Sequence, residues 1–343
     1  MALSRIDTTN MIEDVPQSKL DNNINFRNII INGDMSLAQR GTSTSSITST
    51  GYHTVDRLQT EISSFGTWTQ SQSTDVPSGQ GFAKSLKMDC TTADTSLATN
   101  DMCRIQQSFE GQNLQYLKFG TSSAQSTTVS FWVKSNKTGD YNVSLLNNDQ
   151  SRIIGNTYTI NSADTWEKKT LTFAGDTAGA FDNDNNNSLS LWWGLLGGTD
   201  RIGGDSSSWG ANADNKNVAG QTVNLADSTS NEWYITGVQL EAGTSASDFE
   251  FLPHDVNEDR CLRYCEVYTG TNTHGGLYSG SAYIGHLQYK KRKRTRPTFS
   301  NTTSNNVSAF QTSSSGDKGG TDSMFFEASA GSYVINVQID AEL

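Results

Sequence analysis

The feature that most constrains the fold is the alternation of apolar and polar residues in short runs, each closed by turn-forming residues. TTVSFWVKSN (127–136) carries it best: Val129, Phe131 and Val133 fall on one face of an extended chain and Trp132 on the other. Comparable runs are FRNIIING (26–33), HTVDRLQTEI (53–62), FAKSLKMDC (82–90), MCRIQQSFE (102–110), YNVSLLN (141–147), WEKKTLTFAG (166–175), SLSLWWGLLGG (188–198) and EWYITGVQLEAG (232–243). Between them lie stretches such as STSSITST (43–50) and DNDNNNSLS (182–190). Their side chains bond the local backbone, which favours turns and opposes long helices. Many short strands joined this way predict an all-β sandwich or barrel. Only 34% of residues are hydrophobic and 18% charged, a balance that disordered chains share. Seven Trp, eleven Tyr and fourteen Phe supply the large rings that a disordered chain lacks.

The pattern divides the chain. Residues 1–25 are polar, aperiodic and contain Pro16, as expected equally of a frayed terminus and of an N-terminal arm that docks on a partner. Residues 26–254 carry the first β unit, with LQYLKF (114–119) as a single helical turn. DVNEDRCLRYCEVY (255–268) is the best helix candidate and reads as a connector: Asp255 or Asn257 would cap it, and Cys261, Leu262 and Cys265 would form its apolar face. Residues 269–343 read as a smaller β domain, with strands in SAYIGHLQYKKRKR, PTFSNTT, SAFQTSS, DSMFFEAS and SYVINVQIDAEL. In the last, Tyr333, Ile335, Val337 and Ile339 share a face.

Several classes of function are disfavoured. A net charge of −11 weighs against a general nucleic-acid binder. The N-terminus has no apolar signal-peptide core, and no stretch approaches the length of a membrane span, so membrane insertion is not expected. Cys90, Cys103, Cys261 and Cys265 form no CxxC pair and are expected to be structural thiols. The four histidines lie far apart, and neither a zinc-protease helix motif, nor a GxSxG elbow, nor a phosphate loop occurs. No carboxylate pair stands out, so a polysaccharide depolymerase is less favoured than a protein that is not an enzyme.

Three stretches carry a resemblance. IINGDMSLAQRGTS (30–43) with YHTVDRLQ (52–59), WEKKTLTFAGDTAG (166–179) with SLSLWWGLLGG, and ITGVQLEAGTSASDFEFLPHDVNEDRCLRY (235–264) resemble phage tail-fibre and virion structural proteins with a carbohydrate-binding-module-like jelly roll. The resemblance covers about residues 26–268. It implies a jelly-roll β-sandwich in a fibre, spike or decorating appendage of a virion, usually trimeric.

Candidate residues follow from both readings. Trp68, Trp132, Trp166 and Trp233 lie in or beside strand candidates and are assigned to the core. Trp209 sits in the polar loop GGDSSSWGANAD (203–214), where its ring would stack on a sugar with Asn212 and Asp214 bonding hydroxyls, or else anchor the loop. Trp192 and Trp193 are adjacent, so a strand presents them on opposite faces and leaves one to be exposed. Carbohydrate-binding jelly rolls often hold a structural calcium ion, for which Asp34 and Glu241 are the oxygen ligands to consider; turn bonding is the preferred role for both. No other cofactor is expected. In KKRKRTR (290–296) a strand would direct Lys291 and Lys293 one way and Lys290, Arg292, Arg294 and Arg296 the other. A run this dense could bind nucleic acid, anionic lipopolysaccharide or acidic groups of a neighbouring subunit; the last is preferred, and a charged, solvated edge strand comes next. The expectation is a homotrimeric bacteriophage virion appendage that contacts other virion proteins and host surface glycan. The alternative is a purely structural virion component, such as a capsid decoration, head fibre or tail adaptor.

Overall fold

The computed structural model describes residues 26–63, 66–274, 277–278, 283–301, 307–310, 320–328 and 332–343. The proposed docking arm, residues 1–25, lies outside them.

Thirteen strands build the first unit: β1 (Ser43–Ile47), β2 (Gly51–Tyr52), β3 (Gln59–Ile62), β4 (Thr67–Ser73), β5 (Ser85–Thr92), β6 (Met102–Glu110), β7 (Thr127–Ser135), β8 (Gly139–Asn147), β9 (Arg152–Ile160), β10 (Glu167–Phe173), β11 (Asn187–Gly197), β12 (Gly210–Ala211) and β13 (Glu232–Ala242). They form two antiparallel sheets, ordered β1-β4-β5-β13-β7-β10 and β12-β9-β8-β11-β6-β3-β2. The sheets face each other as a jelly-roll β-sandwich because the longer strands turn apolar side chains inward. Val129, Phe131 and Val133 of β7 and Trp233, Ile235, Val238 and Leu240 of β13 meet Ile105, Val143, Leu145, Leu191 and Trp193 of the opposite sheet in one core.

FRNIIING is not a strand. Asn28 and Gln107 side chains replace a ladder there: Asn28 Nδ2 donates to the Val238 carbonyl (3.1 Å), and Gln107 both accepts from the Ile31 N–H (2.7 Å) and donates to the Ile31 carbonyl (2.9 Å). The segment closes one end of the sandwich and turns at Asn32–Asp34. A Cβ at Gly33 would lie 2.1 Å from the Val238 carbonyl oxygen, so only glycine permits this approach.

The helical connector is shorter than its pattern predicts. The short α1 (Thr199–Ile202) lies in the β11–β12 loop, and α2 spans His254–Leu262 with Pro253 at its N-cap and no side-chain cap bond. β14 (Cys265–His274) starts three residues later, so Cys261 and Cys265 are buried from two different elements and not along one helix face. Asn257 does not cap; it is buried and its amide reaches Asp34 and Ser36. All four cysteines are buried, free thiols.

The C-terminal unit adds β15 (Leu277–Tyr278), β16 (Tyr283–Gln288), β17 (Thr298–Asn301), β18 (Val307–Phe310), β19 (Ser323–Ala328) and β20 (Ser332–Asp340). Two small sheets, β14-β20-β17 and β15-β16-β19-β18, enclose Ile335, Val337, Ile339, Leu287, Met324 and Phe326. The chain end then returns to the sandwich. Arg57, fully buried, pairs with Glu342, and Arg40 Nη2 donates to Asp340 (2.8 Å) and Glu342 (3.2 Å). The Arg57 guanidinium also lies 3.5 Å from the centre of the Tyr264 ring.

Candidate functional site

The residues singled out for glycan contact are not gathered into a site. Trp192 and Trp193 do face opposite sides of β11, but both are buried. Trp193 joins the core, and the outward Trp192 is covered by the Arg104 guanidinium, 3.4 Å from its ring centre and ion-paired to Glu61 (2.6 Å). The exposure expected from alternation is removed by one long cation on the neighbouring strand. Trp209 is half-buried: its indole N–H donates to the Ala174 carbonyl (2.6 Å) and its ring meets Phe119 edge-on at 5.7 Å. Asn212 donates its backbone N–H to Ser151, and the exposed Asp214 pairs with Arg201 (2.7 Å). The core assignment of tryptophans holds for Trp68 and Trp233. Trp132 and Trp166 are half-buried on the outer face of the six-stranded sheet, where Trp166 donates to Asp75 (2.9 Å) and meets Tyr234 edge-on.

Asp34 and Glu241 serve separate bonds. Asp34 accepts from Ser36 Oγ (3.0 Å) and Asn257 Nδ2 (3.3 Å); buried Glu241 accepts from Ser247 N–H (2.8 Å) and Oγ (2.7 Å) and from Gln239 (2.8 Å). They share no partner. Among the described residues no group of three or more His, Cys, Asp or Glu is placed to hold a metal ion.

The basic run is not a strand; β16 ends at Gln288 and residues 289–297 form a bent loop. Its acidic partners lie in the same chain, which corrects the intersubunit assignment for the core of the run. Lys293 is fully buried and pairs with buried Glu266 (2.6 Å). Arg294 donates to the carbonyls of Ala341 (3.0 Å), Asn185 (3.0 Å) and Glu342 (2.8 Å). Lys291 pairs with Asp259 (2.7 Å), and Arg292 lies 3.8 Å from Asp322.

The structure instead places a concave site where the sandwich, α2 and the FRNIIING segment meet. Its centre is Glu110, fully buried at the end of β6. Arg263 grips it with two bonds of 2.7 Å, Tyr264 OH donates at 2.6 Å and Gln112 at 2.6 Å. Burial opposes this ionisation, but the bonds from Arg263 and Tyr264 prevail and hold the carboxyl below the usual glutamate range. Two short 3-10 turns, Gly111–Asn113 and Gln115–Leu117, follow β6. A Cβ on Gly111 would lie 2.0 Å from the Asp182 carbonyl oxygen, so glycine fixes the first turn tightly. Leu114 and Leu117 anchor the turns in the core and leave Tyr116 outward, 48% exposed.

Tyr116 and Phe26, the latter 59% exposed, stand with Ile29, Ile31 and Phe109 around a pocket of about 420 Å³. Asn28, Asn113, Glu110, Arg260 and Arg263 supply its polar groups. Glu250 holds the Phe26 side of the rim by accepting from the Phe26 N–H (2.8 Å) and the Asn28 N–H (2.9 Å). Arg260 donates from Nη2 to the Asn28 (3.2 Å) and Ile29 (3.4 Å) carbonyls, while its buried Nη1 has no acceptor among the described residues. Sequence reading missed this pocket because its parts come from residues 26–31, 109–116 and 260–264. The single available signal was Tyr116, an aromatic facing outward from LQYLKF.

No protein-family model matches the chain. No curated protein sequence matches it either. Among solved structures it is similar to the enzymatically active domain of bacteriophage CBA120 tailspike protein 4, at TM-score 0.33 and 13% identity over 63% of this chain and 21% of that chain. It is also similar to the CBM22-1 xylan-binding domain from Paenibacillus barcinonensis Xyn10C, at 0.28 and 10% over 62% and 92%. A third is the family 11 carbohydrate-binding module from Clostridium thermocellum, in complex with a mixed-linked tetrasaccharide, at 0.28 and 11% over 60% and 98%. The chain thus spans about a fifth of the tailspike chain, and all three scores are too low to bear on function.

Proposed function

We propose that this chain is a glycan-binding β-sandwich protein of a bacteriophage virion appendage. The observation that carries the binding role is the aromatic-rimmed pocket of about 420 Å³, with Phe26 and Tyr116 exposed at its mouth and amide and guanidinium groups within. An apolar lining with a few placed polar groups is the usual make-up of a small-ligand site. A sugar ring would lay its apolar C–H face on Tyr116 or Phe26 while Asn113 and Arg260 bond its hydroxyls. The virion setting rests on the three stretches of sequence resemblance, and so does assembly as a homotrimer. Binding is preferred over hydrolysis because Glu110 is the one carboxylate among the described residues that line the pocket, and it is held ionised by Arg263 and Tyr264. Glycoside cleavage ordinarily needs a second carboxylate across the bond and one acid that keeps its proton.

The structural-component reading has one observation in its favour: Trp192, Trp193 and Trp209 are each covered or bonded within the chain. A glycan array on the purified full chain, with Tyr116→Ala beside it, separates the two. The glycan reading expects array signals that Tyr116→Ala weakens about tenfold or more with an unchanged melting temperature. Absence of signal for the native chain would sink it in favour of the structural role.

A further inference from the structure

A second cavity adjoins the first at Arg263, and its chemistry differs. This cleft, about 640 Å³, lies between the sandwich loop at Asn185 and the basic loop that links β16 to β17. Arg263, Arg292, Lys293, Arg294 and Arg296 line it against one acid, Asp184, in a chain of net charge −11. Two of the cations are neutralised in place, Arg263 by Glu110 and Lys293 by Glu266. Arg294 bonds differently. It donates to three carbonyl oxygens, which satisfy N–H groups but carry no net charge. Those three bonds also hold the guanidinium in one orientation. The Arg292 side chain is 72% exposed, and its distance of 3.8 Å from Asp322, itself exposed, makes that pair of little worth. Asn185, Gln112 and Thr321 add neutral hydrogen-bonding groups to the wall.

We propose that this cleft receives anionic substituents, carboxylate or phosphate, of the same glycan whose sugar ring sits in the adjoining aromatic pocket. The inference rests on the glycan reading and names the ligand class: acidic polysaccharide. Guanidinium forks match both anions in shape and charge. A molecule of net charge −11 repels an acidic polymer at long range, so a fixed local cluster of arginines is what an acidic ligand needs in order to dock.

The test measures binding of the full chain to a uronate-containing polysaccharide, a phosphate-substituted polysaccharide and neutral dextran, by biolayer interferometry, for native protein, Arg292→Glu and Tyr116→Ala. The native chain should bind at least one acidic polymer in preference to dextran, and weaken as NaCl rises from about 50 to about 500 mM. Binding of the uronate or of the phosphate polymer alone identifies the anion, and either supports the proposal. Arg292→Glu should cost about tenfold or more in affinity for the acidic polymer while leaving the melting temperature unchanged. If Tyr116→Ala abolishes binding but Arg292→Glu leaves it intact, the cleft is not the anion site and only the pocket reading survives. Equal binding to dextran would likewise remove the anion site and leave the pocket. If the native chain binds none of the three, the acidic-ligand proposal falls, while the glycan array decides the pocket reading separately.

Discussion

Trp233 and Trp132 sit on adjacent strands, β13 and β7, and face opposite sides of one sheet. Trp233 is fully buried and donates to Tyr158 OH (3.2 Å), whereas Trp132 is half-buried on the outer surface. Truncating Trp233 to alanine should cost about 3–5 kcal/mol, through lost transfer energy and the cavity left behind. Trp132→Ala should cost less, about 1–2 kcal/mol at the burial of a partly covered ring. Urea unfolding midpoints of the two variants check the order, and equal losses would contradict the division. Strand alternation places Trp132 opposite Val129, Phe131 and Val133, and the structure agrees. It left open which outward face is covered, because covering depends on neighbours such as Arg104 over Trp192, which come from other strands. Glu110 gives a pH dependence with a definite sign. Its folded pKa lies below the unfolded one, near 4.3, so the stability it contributes is complete above that value and is lost as pH falls through the folded pKa. Glu110→Gln should therefore flatten the stability profile below about pH 4.3, as read from melting temperatures against pH. A variant profile parallel to the native one would show that the Glu110 contacts add nothing to that slope.

Among elements, strands that alternate cleanly were the legible ones: β6 falls on MCRIQQSFE, and β7, β8, β10, β11 and β13 fall within a residue or two of their runs. β4 and β9 were not read, since TWTQSQS and RIIGNTYTI are too polar to stand out; each is held by neighbours, β4 by β1 and β5, β9 by β8 and β12. The helix was overextended because Arg263 and Tyr264 continue its pattern while the β14–β20 ladder claims the chain from Cys265 onward. Least legible was the union of the two units. Glu342 is the second-to-last residue, and nothing local in the sequence marks it as the partner of Arg57, 285 residues earlier. Around it, Tyr52 OH donates to the Leu343 carbonyl (3.1 Å), Ala341 N–H donates to the Tyr264 carbonyl (2.7 Å) and Arg294 holds the Ala341 and Glu342 carbonyls. Glu342→Ala leaves Arg57 buried without its carboxylate, and removal of one partner from a buried pair costs about 3–5 kcal/mol. Increased amide exchange along β20 and a lower melting temperature are the expected outcome. A melting temperature within a degree or so of native would mean the tail is not a fastening between the units.

At the scale of the whole molecule, assembly has to be argued without the basic run, since its buried members spend their bonds inside the chain. What the fold leaves available is sheet edge. The seven-stranded sheet ends in β12 and β2, two residues each, which are too short to recruit another strand. The six-stranded sheet ends in β1, five residues interrupted by a bulge, and in β10, guarded by Lys168 and Lys169. In the C-terminal unit, β14 runs for ten residues and pairs among the described strands with β20 alone. A longer edge of this kind is usually covered, and a threefold ring closes over it if β14 pairs with the β17 edge of the next subunit, the opposite edge of the same sheet. A trimer built there would be held mainly by backbone pairing, with few intersubunit charges. Sedimentation equilibrium at micromolar concentration should then give three times the chain mass of 37.3 kDa, and that mass should persist as NaCl is raised to about 1 M. Trimers that fall apart in salt would return the assembly to charge pairing across subunits, and a monomer at every salt concentration would remove the trimer altogether.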